Sequence, residues 1–157
     1  MLLPVPPSNW PKSPKDQKCS GVPVDLTYVN DQSGFDPTEF LGDLLYWSYD
    51  IDSLDDFNPN NLLGCNECVG QLVLHSHGRY SESTGQAQIL FGDAWINLTD
   101  ESIDQLFGDI KFCCDCHMEL RVCWIGQMYG LNEKLENLTN CSVRLHSGLC
   151  NPWGDDL

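Results

Sequence analysis

Apolar and polar positions change period several times along the chain. Pro23 to Asn30 alternates apolar and polar residues, several of them β-branched, and runs into Asn30-Asp31-Gln32-Ser33-Gly34, so it predicts a strand followed by a turn. Asp36 to Trp47 carries Phe40, Leu41, Leu44 and Leu45 at helical spacing behind an Asp-Pro start, with Asp36 as N-cap and Pro37 at the first helical position. Asp50 to Asn60 reads as a short helical piece, with Leu54 and Phe57 three apart. Val69 to Gly78 is an apolar run that closes on His75-Ser76-His77-Gly78, the pattern of a buried strand entering a functional loop. Gln86 to Leu98 reads as a hairpin turning at Gly92-Asp93, and Thr99 to Phe107 as a helix with early acids and apolar residues at helical spacing. Glu119 to Gly126 is a strand entering a glycine turn, Met128 to Leu138 a helix, and Ser142 to Ser147 a final strand. Strands alternating with helices predict an α/β domain with a mainly parallel sheet and right-handed crossovers.

Composition narrows this picture. The 157 residues are 41% hydrophobic and include five Trp, five Tyr and six Phe, enough for one core. Residues 1–18 hold Pro4, Pro6, Pro7, Pro11 and Pro14 with Lys12, Lys15 and Lys18, so they are expected to form a flexible arm, with residues 19–157 as a single domain. The formal charge of -15, from 8 basic and 23 acidic residues, repels phosphate backbones and anionic lipids. Nucleic acid and membranes are therefore excluded as expected partners. No apolar stretch is long enough to span a bilayer, and the first residues lack a secretory signal pattern. The expectation is a soluble protein, cytoplasmic or exported by a non-classical or precursor route.

Nine cysteines are an odd number in a chain of this size, and a mostly reduced protein is the expected state. Sequons stand at Asn97, Asn137 and Asn140 and would matter in a eukaryotic secretory setting.

In parallel α/β sheets, reactive groups collect beyond the carboxyl ends of strands. Two such ends carry complementary chemistry, His77-Gly78 and Cys123. A thiol becomes nucleophilic when a base stands near it, and imidazole titrates close to neutrality. His75 is a second candidate base.

The segments Leu72-Val73-Leu74-His75-Ser76-His77-Gly78 and Leu120-Arg121-Val122-Cys123-Trp124-Ile125-Gly126, followed by a helix and Cys141-Ser142-Val143-Arg144-Leu145, resemble the core of caspase-like cysteine peptidases, across roughly residues 23–148. The bacterial and toxin-associated members are the nearest in pattern. The resemblance implies a three-layer sandwich, with the parallel sheet flanked by helices. It implies His77 as base, Cys123 as nucleophile, and the amides of Gly78 and Cys123 as oxyanion donors. It also implies a self-processing or effector role, with no cofactor required for catalysis. The Gln-Ala-Cys-Arg/Gln-Gly signature of animal caspases is replaced here by Val122-Cys123-Trp124.

Because the body is acidic, the expected substrate is a protein or peptide with basic residues, cleaved after Arg or Lys. Asp31 is then the candidate specificity carboxylate and Trp124 a wall of the cleft. The chain could belong to a larger precursor or complex.

A second constellation is Cys65-Asn66-Glu67-Cys68 with Cys113-Cys114-Asp115-Cys116-His117. Cys65, Cys68, Cys114, Cys116 and His117 could supply the tetrahedral thiolate and imidazole set of a structural zinc at the amino-terminal edge of the sheet, opposite the dyad. Disulfides are the alternative use of the same sulfurs. His75-Ser76-His77 lacks the continuation of a hydrolytic metal motif, and the acids at Asp52, Asp55 and Asp56 lack calcium-loop spacing and read as a solvated face. From another functional class, the rival reading is a non-catalytic acidic interaction module stabilised by zinc or disulfides.

Overall fold

The computed structural model describes residues 21–30 and 48–149. The proline-rich arm, the helix expected at 36–47 and Asp31 lie outside them. Strands β1 (Val22–Asn30), β2 (Ser48–Ile51), β3 (Glu67–Ser76), β7 (Phe112–Val122) and β8 (Ser142–Arg144) form one five-stranded sheet, in the order β2-β1-β3-β7-β8. Every pairing in it is parallel. Strands β4 (Gly78–Ser81), β5 (Gln86–Phe91) and β6 (Ala94–Asn97) form a separate antiparallel sheet inserted directly after β3. Helices α1 (Asp100–Phe107) and α2 (Leu131–Thr139) precede β7 and β8 respectively.

The expected α/β class with a mainly parallel sheet is therefore present. Its apolar runs became the central strands, since β3 between β1 and β7 buries Leu72, Val73 and Leu74. The turn at Gly92-Asp93 joins β5 to β6, and Gly92 has φ +63 in close packing against the Asp52 carbonyl, a position open only to glycine. Thr99 caps α1: its Oγ1 accepts the Ser102 N–H at 3.1 Å, and Ser102 Oγ accepts the Thr99 N–H at 2.9 Å.

One aromatic cluster ties the pieces together. Phe57 lies 5.0 Å from Tyr28 of β1, 5.5 Å from Phe91 of β5 and 5.8 Å from Phe107 of α1, so the loop after β2, the small sheet and α1 share one core with the parallel sheet.

Several elements differ from the sequence expectation, among them β4 in place of the loop expected after His77. Residues 48–51 form the short strand β2, and the helical piece resolves into two 3-10 turns, Leu54–Asp56 and Pro59–Leu62. Asp56 Oδ2 accepts the backbone N–H of Asp52 and Ser53, so this acid serves the turn rather than solvent alone. Strand β7 begins seven residues earlier than expected and includes the whole cysteine cluster.

The cluster's chemistry is also different. Between Val69↔Phe112 and Gln71↔His117, β7 advances five residues while β3 advances two, so residues 113–116 bulge out of the ladder. That bulge re-aims the sulfurs. Cys68 bonds to Cys113 across the starts of β3 and β7, and Cys116 bonds to Cys141 beside the start of β8. Cys114 is also in a disulfide, with its partner outside the described residues. Cys68, Cys114 and Cys116 are therefore not available as thiolates, Cys65 and His117 are left exposed, and no metal-binding group forms among the described residues. Disulfides replace the zinc set, and the expectation of a mostly reduced protein is corrected. The Cys68–Cys113 bridge lies at the amino-terminal ends of β3 and β7.

Candidate active site

His77 is the first residue beyond β3, and Cys123 the first beyond β7. These strands are neighbours, and their last registered pair is Ser76↔Val122, so His77 and Cys123 leave the sheet side by side at the same level. Gly78 follows because nothing larger fits: a Cβ there would collide with the Cys123 carbonyl oxygen and with Val122 Cγ1. Cys123 is half-buried and takes no part in a disulfide. His77 stays accessible, yet partial burial lowers its imidazole below the ordinary 6.5, because desolvation penalises the charged form. At neutral pH it is a neutral base. His75 is fully buried in the β3 interior.

The chain turns sharply after Cys123. Trp124 has φ +72, an uncommon left-handed conformation for a bulky residue, and Ile125–Gln127 form a 3-10 turn. Segment 146–148 braces this turn. Gly148 O accepts the Trp124 N–H at 3.0 Å, His146 O accepts the Gly126 N–H at 2.9 Å, and Gln127 Nε2 donates to Ser147 O at 2.8 Å. His146, itself buried, is anchored to β7 through Glu119, whose Oε2 lies 3.1 Å from its Nε2. Arg121 and Arg144 approach the same carboxylate, each at 3.3 Å. The indole of Trp124 remains exposed beside the thiol-bearing turn, where a cleft wall was expected. A shallow depression of about 460 Å³ begins at Gly126 and is lined by Tyr129, Glu133 and Glu136, which adds two carboxylates close in sequence to the turn.

The hairpin after His77 is held by a residue that the sequence did not single out. Asn30, wholly buried at the end of β1, donates through Nδ2 to Ser76 Oγ at 3.1 Å, Leu90 O at 2.8 Å and Gly92 O at 3.3 Å. Ser76 Oγ donates to the same Leu90 carbonyl, and the Leu90 N–H donates to the carbonyl of His77. One buried amide thus links β1, β3 and β5 around the backbone of His77. Asn30→Ala is expected to destabilise the fold by about 1–3 kcal/mol, the cost of a buried acceptor left without its donor, and urea denaturation measures it. An unchanged midpoint would show that water replaces the amide.

The structure thus brings His77, Gly78, Cys123 and Trp124 together and separates the five expected zinc ligands into other roles. Glu119, Arg121, Arg144, His146 and Asn30 were not marked by any motif; they are polar residues near strand ends whose partners appear only when the sheet closes. No protein-family profile, curated protein or solved structure matches the chain.

Proposed function

We propose that the protein is a cysteine endopeptidase of caspase-like type. The observation that carries this is the placement of a thiol outside any disulfide and an imidazole at the carboxyl ends of two adjacent parallel strands, with a glycine packed between them. In this reading the neutral imidazole of His77 takes the proton of the Cys123 thiol, the resulting thiolate attacks the scissile carbonyl, the imidazolium so formed protonates the leaving amine, and the amides of Gly78 and Cys123 hold the oxyanion. Catalysis calls for no cofactor. Water then hydrolyses the acyl-enzyme with His77 as base.

The expected substrate carries Arg or Lys at the cleaved position. Glu133 and Glu136 near the turn, together with the charge of -15, support a basic ligand, and Asp31 remains the proposed specificity carboxylate. Disulfides persist in oxidising compartments, which favours an exported protein or the processing domain of a longer precursor over a cytoplasmic one.

The test is brief treatment with a peptidyl-lysine or peptidyl-arginine electrophile followed by peptide mapping. Labelling confined to Cys123 and lost in His77→Ala is the expected result. Equal labelling of Cys65, or labelling indifferent to His77, would favour the rival reading, a disulfide-stabilised interaction module that binds a basic partner through its acidic surface.

A further inference from the structure

The small sheet turns Ala87, Ile89 and Phe91 into the core. Its opposite face is laid out by register. Arg79 stands opposite Gln88, which stands opposite Asn97; in the adjacent row Leu90 stands opposite Trp95 and, through its N–H to the His77 carbonyl, opposite His77. The base candidate and Arg79 are thus neighbouring positions on one face of this sheet.

Arg79 is held there without any acid. Its Nε donates to Gln88 Oε1 at 2.6 Å, and Gln88 Nε2 donates to Asn97 Oδ1 at 2.6 Å, so the polar row is oriented across three strands. The guanidinium stacks over Trp95, with Cζ 3.8 Å from the ring centroid. Nε is used, and the two Nη groups, with four N–H donors, make no hydrogen bond or ion pair to any described residue. Lys134, Arg121 and Arg144 each pair with a carboxylate, in a chain with 23 acids against 8 bases. Arg79 is exposed, planar and already immobilised, so a ligand that pairs with it loses little of its binding energy to ordering the side chain.

We propose that Arg79, clamped by Trp95 and Gln88, is a carboxylate-binding subsite beside His77, accepting an acidic residue of a bound peptide through its Nη edge. A guanidinium fork matches a carboxylate in a bidentate pair. Two residues of extended chain separate Arg79 from His77, about 7 Å, so a peptide lying across the dyad reaches Arg79 with a side chain one to two residues from the scissile bond. The subsite stands on its own geometry; only the register of the peptide rests on the peptidase reading. It defines a substrate with a carboxylate close to the cleaved basic residue.

The experiment is NMR titration of the uniformly ¹⁵N-labelled, disulfide-intact protein carrying Cys123→Ala, following the Arg79 Nε–H and Trp95 Nε1–H signals. Three acetylated tetrapeptides serve as probes: all-glutamate with an amidated end, all-glutamine with an amidated end, and all-glutamine with a free terminal carboxylate. Saturable shifts are expected with the glutamate peptide and not with the amidated glutamine peptide. Affinity should fall at least tenfold in Arg79→Gln, and several-fold in Arg79→Lys, which keeps charge but loses the fork and the stacking. Binding should also weaken when salt is raised to about 0.5 M. Shifts confined to the peptide with the free terminus would assign the subsite to a chain end, still a carboxylate. Equal shifts with the amidated glutamine peptide, retention in Arg79→Gln, or no saturable shift with any probe would overturn the proposal. The net charge of the protein opposes anionic peptides, so binding of the glutamate probe must be local. Because no chemistry at Cys123 is involved, a negative result here and a negative labelling result remain separate findings.

Discussion

Reduction of the disulfides is expected to unfold the protein under conditions in which the oxidised chain is stable. Cys68–Cys113 closes a loop of 45 residues and Cys116–Cys141 one of 25. By loop-closure entropy these restrain the unfolded chain by about 4 and about 3.5 kcal/mol. The two loops do not overlap in sequence, so their effects should nearly add, as those of independent constraints do. Their sum rivals the whole stability of an ordinary domain, about 5–15 kcal/mol. Both bridges are also bound into the packing: Cys68, Cys116 and Cys141 are buried, and Gly21 lies so close to Cys68 that an added Cβ would come within 2.9 Å of its sulfur. Urea denaturation of the oxidised protein, the fully reduced protein and the Cys116→Ala/Cys141→Ala variant measures the terms. The double variant should lose about 3–4 kcal/mol, and the reduced protein should be marginal or unfolded at neutral pH. A reduced chain with an unchanged midpoint would show that packing alone holds the bulge of β7 in place.

The cysteine cluster also shows what could be read from the chain and what could not. The interior strands were legible because their apolar runs need two covered faces, as Leu72–Leu74 of β3 shows, and α1 was legible because Thr99 caps it as expected. His77-Gly78 and Cys123 were legible as strand-end residues, since a run of buried positions stops immediately before His77 and an alternation of buried and half-buried positions stops immediately before Cys123. Strands β2 and β4 were not. Each is four residues long at the edge of its sheet, and only Ile51 among their eight residues is buried, so hydrophobic alternation had nothing to mark. The first half of β7 was hidden for a different reason: its sulfurs read as ligands, and the choice between zinc and disulfides depends on a bulge that only the pairing with β3 reveals. Asn30 and Glu119 were silent in the same way. Each takes its role from groups brought to it by non-local pairing, Ser76 and Leu90 for one, Arg144 and His146 for the other.

The dyad makes the second large prediction, in rate and in pH. Hydrolysis of a peptidyl-lysine or peptidyl-arginine substrate is expected to fall about 10²–10⁴-fold in His77→Ala, the usual contribution of a positioned acid–base group, while His75→Gln, altering a ring buried within β3, should show its main cost in stability. The sign of the pH effect follows from burial. Desolvation lowers the His77 imidazole below 6.5, so the base form persists to lower pH than an ordinary histidine allows. The acid limb of kcat/KM should therefore have its midpoint below pH 6.5 and disappear in His77→Ala. The same shift bears on folding with a defined sign. Protonation of His77 is easier in the unfolded chain, so its contribution to stability is lost as pH falls through about 6.5 and below, and is absent from the pH dependence of His77→Ala. A parent protein whose acid limb lies above pH 6.5, or whose rate survives the loss of His77, would remove this imidazole from the reaction and leave Cys123 as an ordinary thiol at a strand end.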